Sequence, residues 1–302
     1  AGICGITKEE LLGQMSEDID MLAEAQELTR EQTIAKLKEH YDGYHFSNKS
    51  PDVFNPYSLF NCFSEQKFGK YWFSSGTPTY LINMLNNYDV LPADIAPIEA
   101  LASAFDAPTE KMKTITPLLY QSGYVTIKHY DSDIELYTLD IPNKEIRVGL
   151  FENLLPNYVD GIYAERGGVA IARMSGLIRR KDMDGALRLL QDYLGTVPYC
   201  NVTNYEGHYQ QMLYIIFTLL TAFVVDVEVH TPKGRVDMVL QTKTDLYLVE
   251  LKLNKSAQAA MGQINLKNYA QRFALCGKPI VKVGINFDST LGNIEDWMIE
   301  EE

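Results

Sequence analysis

The sequence is thin in the residues that build soft-metal, redox and nucleotide sites. Its 302 residues include four cysteines and five histidines. Cys4, Cys62, Cys200 and Cys276 lie far apart without a CxxC pair, which argues against a zinc ribbon or disulfide framework and for free thiols in a reducing compartment. His40, His45, His129, His208 and His230 have no metal-ligand spacing with one another or with the cysteines. No GxxxxGK[ST] loop occurs, and "GICG" near the start has no Lys-Ser/Thr after it, so no ATP is expected to bind. Ser74-Ser75-Gly76 lacks the nucleophile-elbow pattern. The longest apolar run, Met212 to Val225, is interrupted by threonines and falls short of the roughly 20 residues a membrane span needs. No signal peptide opens the chain. The expectation is a cytoplasmic protein without a membrane partner.

Positive charge is also scarce. Lys and Arg number 27 against 40 Asp and Glu, a net charge of −13 that opposes broad attraction to nucleic acid. The deficit is uneven: residues 1–195 hold 18 basic against 28 acidic side chains, and residues 196–302 hold 9 against 12. Contact with a polyanion is therefore expected in the C-terminal third.

What is present is ordinary globular material, 46% hydrophobic and 22% charged, long enough for about two domains. Thr7 with Glu10 and Thr29 with Gln32 have capping-box spacing ahead of helical stretches. Residues 98–120 read as helical. "GYVTIKHYDSDIELYTLDIPNKEIRVGL" alternates like a hairpin, which after a helix suggests a small winged-helix-like unit. Residues 145–195 return to helix, and "GTVPYCNVTNY" (195–205) is the linker candidate. The expected division is 1–90, 91–195 and 196–302. Beyond the linker, Tyr205, Tyr209, Leu213, Ile216 and Leu220 share a helical face. Strands follow at "VVDVEVHT", 235–241 and 246–253, then a helix from about Ser256 to Leu275, then the strand "PIVKVGINF". The order is α-β-β-β-α-β, with the last strand parallel to 246–253 through a right-handed crossover. The fold class is α/β (α+β), a helical N-terminal region followed by a mixed-sheet domain.

Charges stand inside two of these strands. If the loop is centred on Lys243 and Thr244, Asp237 lies opposite Glu250, with Cβ atoms about 4.5–5.5 Å apart. Lys252, two residues on, emerges on the same face. Two close carboxylates repel unless a cation sits between them, and Mg²⁺ takes such hard oxygen ligands. A lysine beside it can act on a water or on developing phosphate charge. A half-exposed sheet carrying three solvated charges is the competing reading. It is weakened by Val239, Leu246 and Leu248 on the same face.

The strand order with "RVD", "VELK" and "GQINLKNYA" resembles the PD-(D/E)XK nuclease superfamily. In particular, it is similar to the nuclease domain of bacterial proteins that join it to an AAA-ATPase-like region. "YDGYHFS", "FNPYSLF" and "YWFSSGTPTYLI" resemble the end of that ATPase-like region. The missing phosphate loop and the start at Ala1 suggest a C-terminal fragment. The resemblance implies Asp237 and Glu250 as metal ligands, the Leu251 carbonyl and Glu206 as further ligands, Lys252 as the catalytic lysine and Gln263 as a helix-borne site residue. An exposed, dipole-favoured position is the plain alternative for Glu206. Gln263 shares a stripe with Ala259, Leu266, Ala270 and Phe273, so it is expected to point inward and to need a polar partner. Where some relatives have tyrosine four residues on, this chain has Lys267, with Tyr269 nearby.

These features together imply a Mg²⁺- or Mn²⁺-dependent nuclease acting on DNA or RNA, DNA being favoured, regulated by an ATPase-like region. A catalytically inactive nuclease-fold interaction or sensing module is the alternative. The aromatic "YDGYHF" and "YWF" blocks could stack bases, but without basic interleaving core packing is the stronger expectation.

Overall fold

The computed structural model describes residues 5–47, 49–74, 79–159, 161–198, 205–223, 237–266 and 277–301. Two compact units divide the chain, residues 1–150 and 151–302. The expected boundary at 195/196 falls within the second unit, because the helices before it pack with the helix and sheet that follow.

The first unit begins with α1 (Lys8–Gln14), α2 (Ser16–Ala25), α3 (Arg30–Tyr41), α4 (Pro56–Glu65), α5 (Tyr71–Ser74) and α6 (Thr79–Asn87). Both expected capping boxes form, each threonine hydroxyl accepting the amide three residues on while that residue's side chain accepts the threonine N–H. Leu11, Ile19, Leu22, Leu37, Tyr41 and Phe54 close a core around buried Cys62.

The remainder of that unit holds β1 (Ile98–Ala100), α7 (Ala102–Phe105), α8 (Thr116–Gln121), β2 (Thr126–Asp131) and β3 (Leu136–Asp140), the strands forming an antiparallel sheet in the order β1-β3-β2. Residues 98–120 are thus not a helix but a strand and short helical turns. Pro108 and Pro117 lack the amide donors that a continuous helix needs in its interior, and Ile98 pairs with Leu139 instead. Helix α8 followed by the β2–β3 hairpin keeps the expected helix-then-hairpin order.

The "YDGYHF" block packs on this hairpin rather than presenting a stacking platform. Tyr41 and Tyr44 are buried. Asn143 Nδ2 donates to the Asp42 carbonyl at 3.0 Å, Lys128 Nζ to the Gly43 carbonyl at 2.8 Å, and the His45 amide to Thr126 Oγ1 at 2.8 Å. Gly43, with φ +95°, permits the approach, since a Cβ there would stand 2.3 Å from the Pro142 carbonyl oxygen.

Helix α9 (Lys144–Leu154) spans the boundary between the units. The second unit continues with α10 (Gly161–Arg179), α11 (Met183–Thr196), α12 (Tyr205–Phe223), β4 (Asp237–Gln241), β5 (Leu246–Leu253), α13 (Ala257–Leu266), β6 (Ile280–Asp288) and β7 (Asn293–Glu301). The sheet order is β4-β5-β6-β7, with β5 and β6 parallel across the α13 crossover and the other pairs antiparallel. The expected strand "VVDVEVHT" lies outside the described residues, as does the end of the helix expected to run to Leu275.

Strand β7 was not expected. Its "NIEDWMIEE" carries acids on successive residues, so the alternation that would announce a strand is blurred.

Helices cover both sheet faces. Phe217 and Leu220 of α12 pack with Met238, Leu240 and Val249, alongside α10 and α11, and Tyr209 meets Phe287 at a ring separation of 5.2 Å. On the other face, Met261 and Ile264 of α13 cover Leu246, Leu248 and Ile280. Helix α12 is therefore buried on more than the expected stripe: Met212, Tyr214, Ile215 and Phe217 are buried along with Leu213 and Ile216. Its far side meets Phe151 through Tyr214 and Tyr158 through His208. Among the described residues no helix is long and apolar enough to cross a membrane.

Candidate active site

The β4–β5 turn sets the register on which the site depends. Its four residues, Thr242–Asp245, close with the Thr242 amide donating to the Asp245 carbonyl at 2.8 Å. The Thr242 hydroxyl accepts the Asp245 amide at 2.9 Å, while Lys278 Nζ donates to the Thr242 carbonyl at 2.7 Å. Lys181, in the turn between α10 and α11, pairs with Asp245 at 2.9 Å. Gln241 thereby faces Leu246, and four pairs further along Asp237 faces Glu250. The expected opposition of the two acids is present in the backbone. The side chain of Asp237 lies outside the described residues.

The even positions of β5 point toward α13. Leu246 and Leu248 join its apolar contact, and Glu250 and Lys252 extend the same face. Glu250 is fully buried and Lys252 is 8% exposed, with Lys252 Nζ donating to Glu250 Oε1 at 2.5 Å. Charges are rarely so enclosed without a partner, and the pair is a charge-assisted bond in a low-dielectric setting. A solvated half-exposed sheet is excluded for these two residues. Leu251, between them, turns its buried side chain to the opposite face and pairs with Ile285 of β6.

Glycine at 284 lets α13 lie close to the sheet beside Glu250. Gly284 is the β6 partner of Glu250. A Cβ there would stand 2.6 Å from the Ala257 carbonyl oxygen and 2.9 Å from the Met261 amide nitrogen. Ala257, Ala260, Met261 and Ile264 form the inward stripe of α13. That stripe corrects the expected one, because Ala259 and Leu266 are exposed. Gln263 is on the shoulder of the helix, half-buried, and its Nε2 is enclosed with no hydrogen-bond partner among the described residues. The polar partner expected for Gln263 is thus not found among the described residues. Lys267 and Tyr269 lie outside the described residues.

Glu206 falls in the first turn of α12, and its side chain is outside the described set. Its helix covers the sheet face opposite to that of Glu250 and Lys252. Reasoning from sequence missed two polar residues of β6 on the α13 face. Lys282, 8% exposed, donates to Asn265 Oδ1 at 2.9 Å. Asn286, 1% exposed, is the strand partner of Lys252. The signal was their spacing, since both share the parity of Gly284 within an otherwise apolar strand.

No three His, Cys, Asp or Glu side chains cluster among the described residues. A hard divalent cation that keeps several waters needs only one or two carboxylates, however. Two acids set opposite one another by register supply hard oxygen donors of that kind. That donor set fits such a cation.

Residues 204–297 match the family model of the PD-(D/E)XK nuclease superfamily. Over its whole length the chain is similar to an uncharacterized protein in the vnfD 5′ region of Azotobacter chroococcum mcd 1, with 28% identity over 316 residues covering 99% of this chain. The chain spans 57% of that relative's length. No solved structure matches the chain.

Proposed function

We propose that residues 196–302 form a divalent-metal-dependent nuclease that hydrolyses phosphodiester bonds. The observation that carries this reading is the opposition of Asp237 and Glu250, with buried Lys252 two residues beyond. Asp237 and Glu250 would hold Mg²⁺ or Mn²⁺, with the Leu251 carbonyl and Glu206 as further ligands. The bound metal would polarise a phosphate oxygen and lower the pKa of an attacking water. Glu250 keeps the Lys252 ammonium in the site and in a single position. From there Lys252 would orient the water and offset charge developing on the phosphate. Gln263, whose Nε2 has no partner among the described residues, would donate to a phosphate oxygen or a base. The layer of Leu246, Leu248, Met261 and Ile264 beside the site keeps bulk water away and strengthens each electrostatic contact.

DNA is the favoured substrate over RNA, and an ATPase-like region is the proposed regulator, on the resemblance of the N-terminal blocks. A non-catalytic interaction module is the second reading, favoured by one observation, the net charge of −13. Incubation with single- and double-stranded DNA and RNA separates the two. Cleavage that requires Mg²⁺ or Mn²⁺ and stops with EDTA supports the nuclease. No cleavage of any of the four substrates supports the module.

A further inference from the structure

Strand β7 brings an acid to the catalytic face by an irregularity in its pairing. The β6–β7 register runs evenly from Val281↔Glu301 to Asn286↔Asp296, then skips, with Phe287 facing Ile294. Glu295 is the extra residue, so two residues of β7, Glu295 and Asp296, stand against Asn286 alone. Such bulges re-aim side chains and are common beside active sites. In regular pairing Glu295 would alternate away from Asp296. Here its Oε2 accepts a hydrogen bond from Asn286 Nδ2 at 2.7 Å. Asn286 Oδ1 in turn accepts the Lys255 amide at 3.0 Å. Asn286 is 1% exposed and is the direct β6 partner of Lys252. Both ends of this buried amide are therefore committed, one to the bulge on β7 and one to the turn that leaves β5.

That turn is pinned a second time. The Asn254 amide donates to the Phe287 carbonyl at 2.8 Å, and the Asn254 side chain exchanges bonds with Ser289, its Nδ2 donating to Oγ and its Oδ1 accepting the Ser289 amide, both at 2.8 Å. Asn254 holds φ +54° to make these contacts. The stretch from Lys252 to Lys255 thus has its neighbours fixed by residues of β6 and β7, and the lysine is anchored from outside its own strand.

We propose that Asn286 and Glu295 are positioning residues that hold Lys252 in its working orientation, Glu295 acting only through Asn286. The inference rests on the nuclease reading above for its kinetic consequence. Its structural part, the control of Lys252 by the Glu295–Asn286 pair, stands apart from activity. The bulge explains why an exposed acid on an edge strand belongs to the site. Without the extra residue, Glu295 would face the opposite side of the sheet and Asn286 would lose its acceptor.

The test compares Asn286→Ala, Glu295→Ala and Glu295→Gln in the whole chain. Glutamine keeps an oxygen to accept the Asn286 amide, whereas alanine does not. Two quantities are read: metal-dependent cleavage, and the NMR signals of the Lys252 side chain in protein with ¹³C-labelled lysine, assigned with Lys252→Arg. The expected result is a loss of about 10–100-fold in kcat for both alanine variants at nearly unchanged KM, the range for residues that orient a site from outside it. Glu295→Gln should recover most of that loss. The Lys252 signals should move in both alanine variants and remain near their wild-type positions in Glu295→Gln. If wild-type protein cuts nothing, the nuclease reading fails, and the Lys252 signals alone decide the positioning role. Signals unchanged in all three variants overturn it. A rate loss in Glu295→Gln equal to that in Glu295→Ala also overturns it, since charge rather than hydrogen-bond acceptance would then be the requirement.

Discussion

Asp237 and Glu250 face each other across β4 and β5, four pairs from the turn that joins the strands. A four-residue loop centred on Lys243 and Thr244 fixes this register, and a slip of one residue would send the two acids to opposite faces. The turn therefore governs which face the two acids share. Thr242→Val removes the hydroxyl that accepts the Asp245 and Thr244 amides. Loss of these bonds should cost about 1–3 kcal/mol in urea unfolding, the penalty for unsatisfied buried donors. An unchanged midpoint would show that Lys278 and Lys181 suffice to hold the turn.

Lys252 and Glu250 form a buried ion pair, and breaking one side leaves the other charge enclosed. Glu250→Ala should destabilise the second unit by about 3–5 kcal/mol in metal-free buffer. The paired replacement Glu250→Leu with Lys252→Met should recover most of that loss, because no unpaired charge remains. Chemical denaturation of the two single variants and the double variant checks this. Additive losses would mean that the two side chains are not energetically coupled.

Gly284 permits close packing of α13 over Glu250. Gly284→Ala places a methyl group against the Ala257 carbonyl and the Met261 amide, both backbone atoms. Overpacking of this kind should cost about 1–3 kcal/mol. The same substitution should lower any cleavage activity, because α13 carries Gln263. Wild-type thermal stability in this variant would count against the tight α13–sheet contact.

In the first unit, burial and then the Lys144 and Lys36 ammonium groups lower the His40 pKa from 6.5 to about 3. An unfolded histidine takes up a proton as the pH falls below 6.5, and the folded one does so only near 3. Stability from His40 is thus full above 6.5 and is lost as the pH drops, by up to about 1.4 kcal/mol per unit. Glu145, whose pKa is raised by burial, contributes with the opposite sign. His40→Gln should remove its own share of the slope and leave that of Glu145. Urea midpoints of the two proteins at about pH 6, 5 and 4 make the comparison, and parallel pH profiles would refute it.

The parts of this fold that were legible in the sequence are those where one local rule suffices. Thr7 and Thr29 announced their helices through capping partners three residues on. The β4–β5 register follows from turn length and side-chain alternation, which place Asp237 opposite Glu250 and Lys252 two residues beyond. Where two layers compete for one element, the reading was poorer. The one-face stripe expected for α12 misses that sheet and helices enclose it from both sides. Gln263 seemed to belong to an inward stripe with Leu266, yet the tight contact at Gly284 turns Ala260 and Ile264 inward instead. The largest omission was β7 and its bulge. Whether an acid-rich C-terminal stretch pairs with β6 depends on partners more distant than any local pattern, such as Trp297 donating to Asp184 and Gln191 donating to the Ile294 carbonyl.

If Lys252 acts on the attacking water, Lys252→Ala should slow metal-dependent cleavage by about 10²–10⁴-fold, the usual contribution of a positioned acid–base group. Mn²⁺ binding, read by electron paramagnetic resonance, should persist in this variant, since both carboxylates remain. Asp237→Asn should weaken Mn²⁺ binding and cleavage together. Cleavage at the wild-type rate in both variants would assign the activity to another site or to a contaminant.

The central claim is that Asp237 and Glu250 hold a divalent cation between them. Anomalous diffraction from crystals grown with Mn²⁺ tests it without reference to substrate or activity. The predicted result is an anomalous peak bonded to carboxylate oxygens of both residues, lost in Asp237→Asn crystals. Well-ordered crystals with no peak there, and Lys252 still closed on Glu250 at millimolar Mn²⁺, would contradict the metal site.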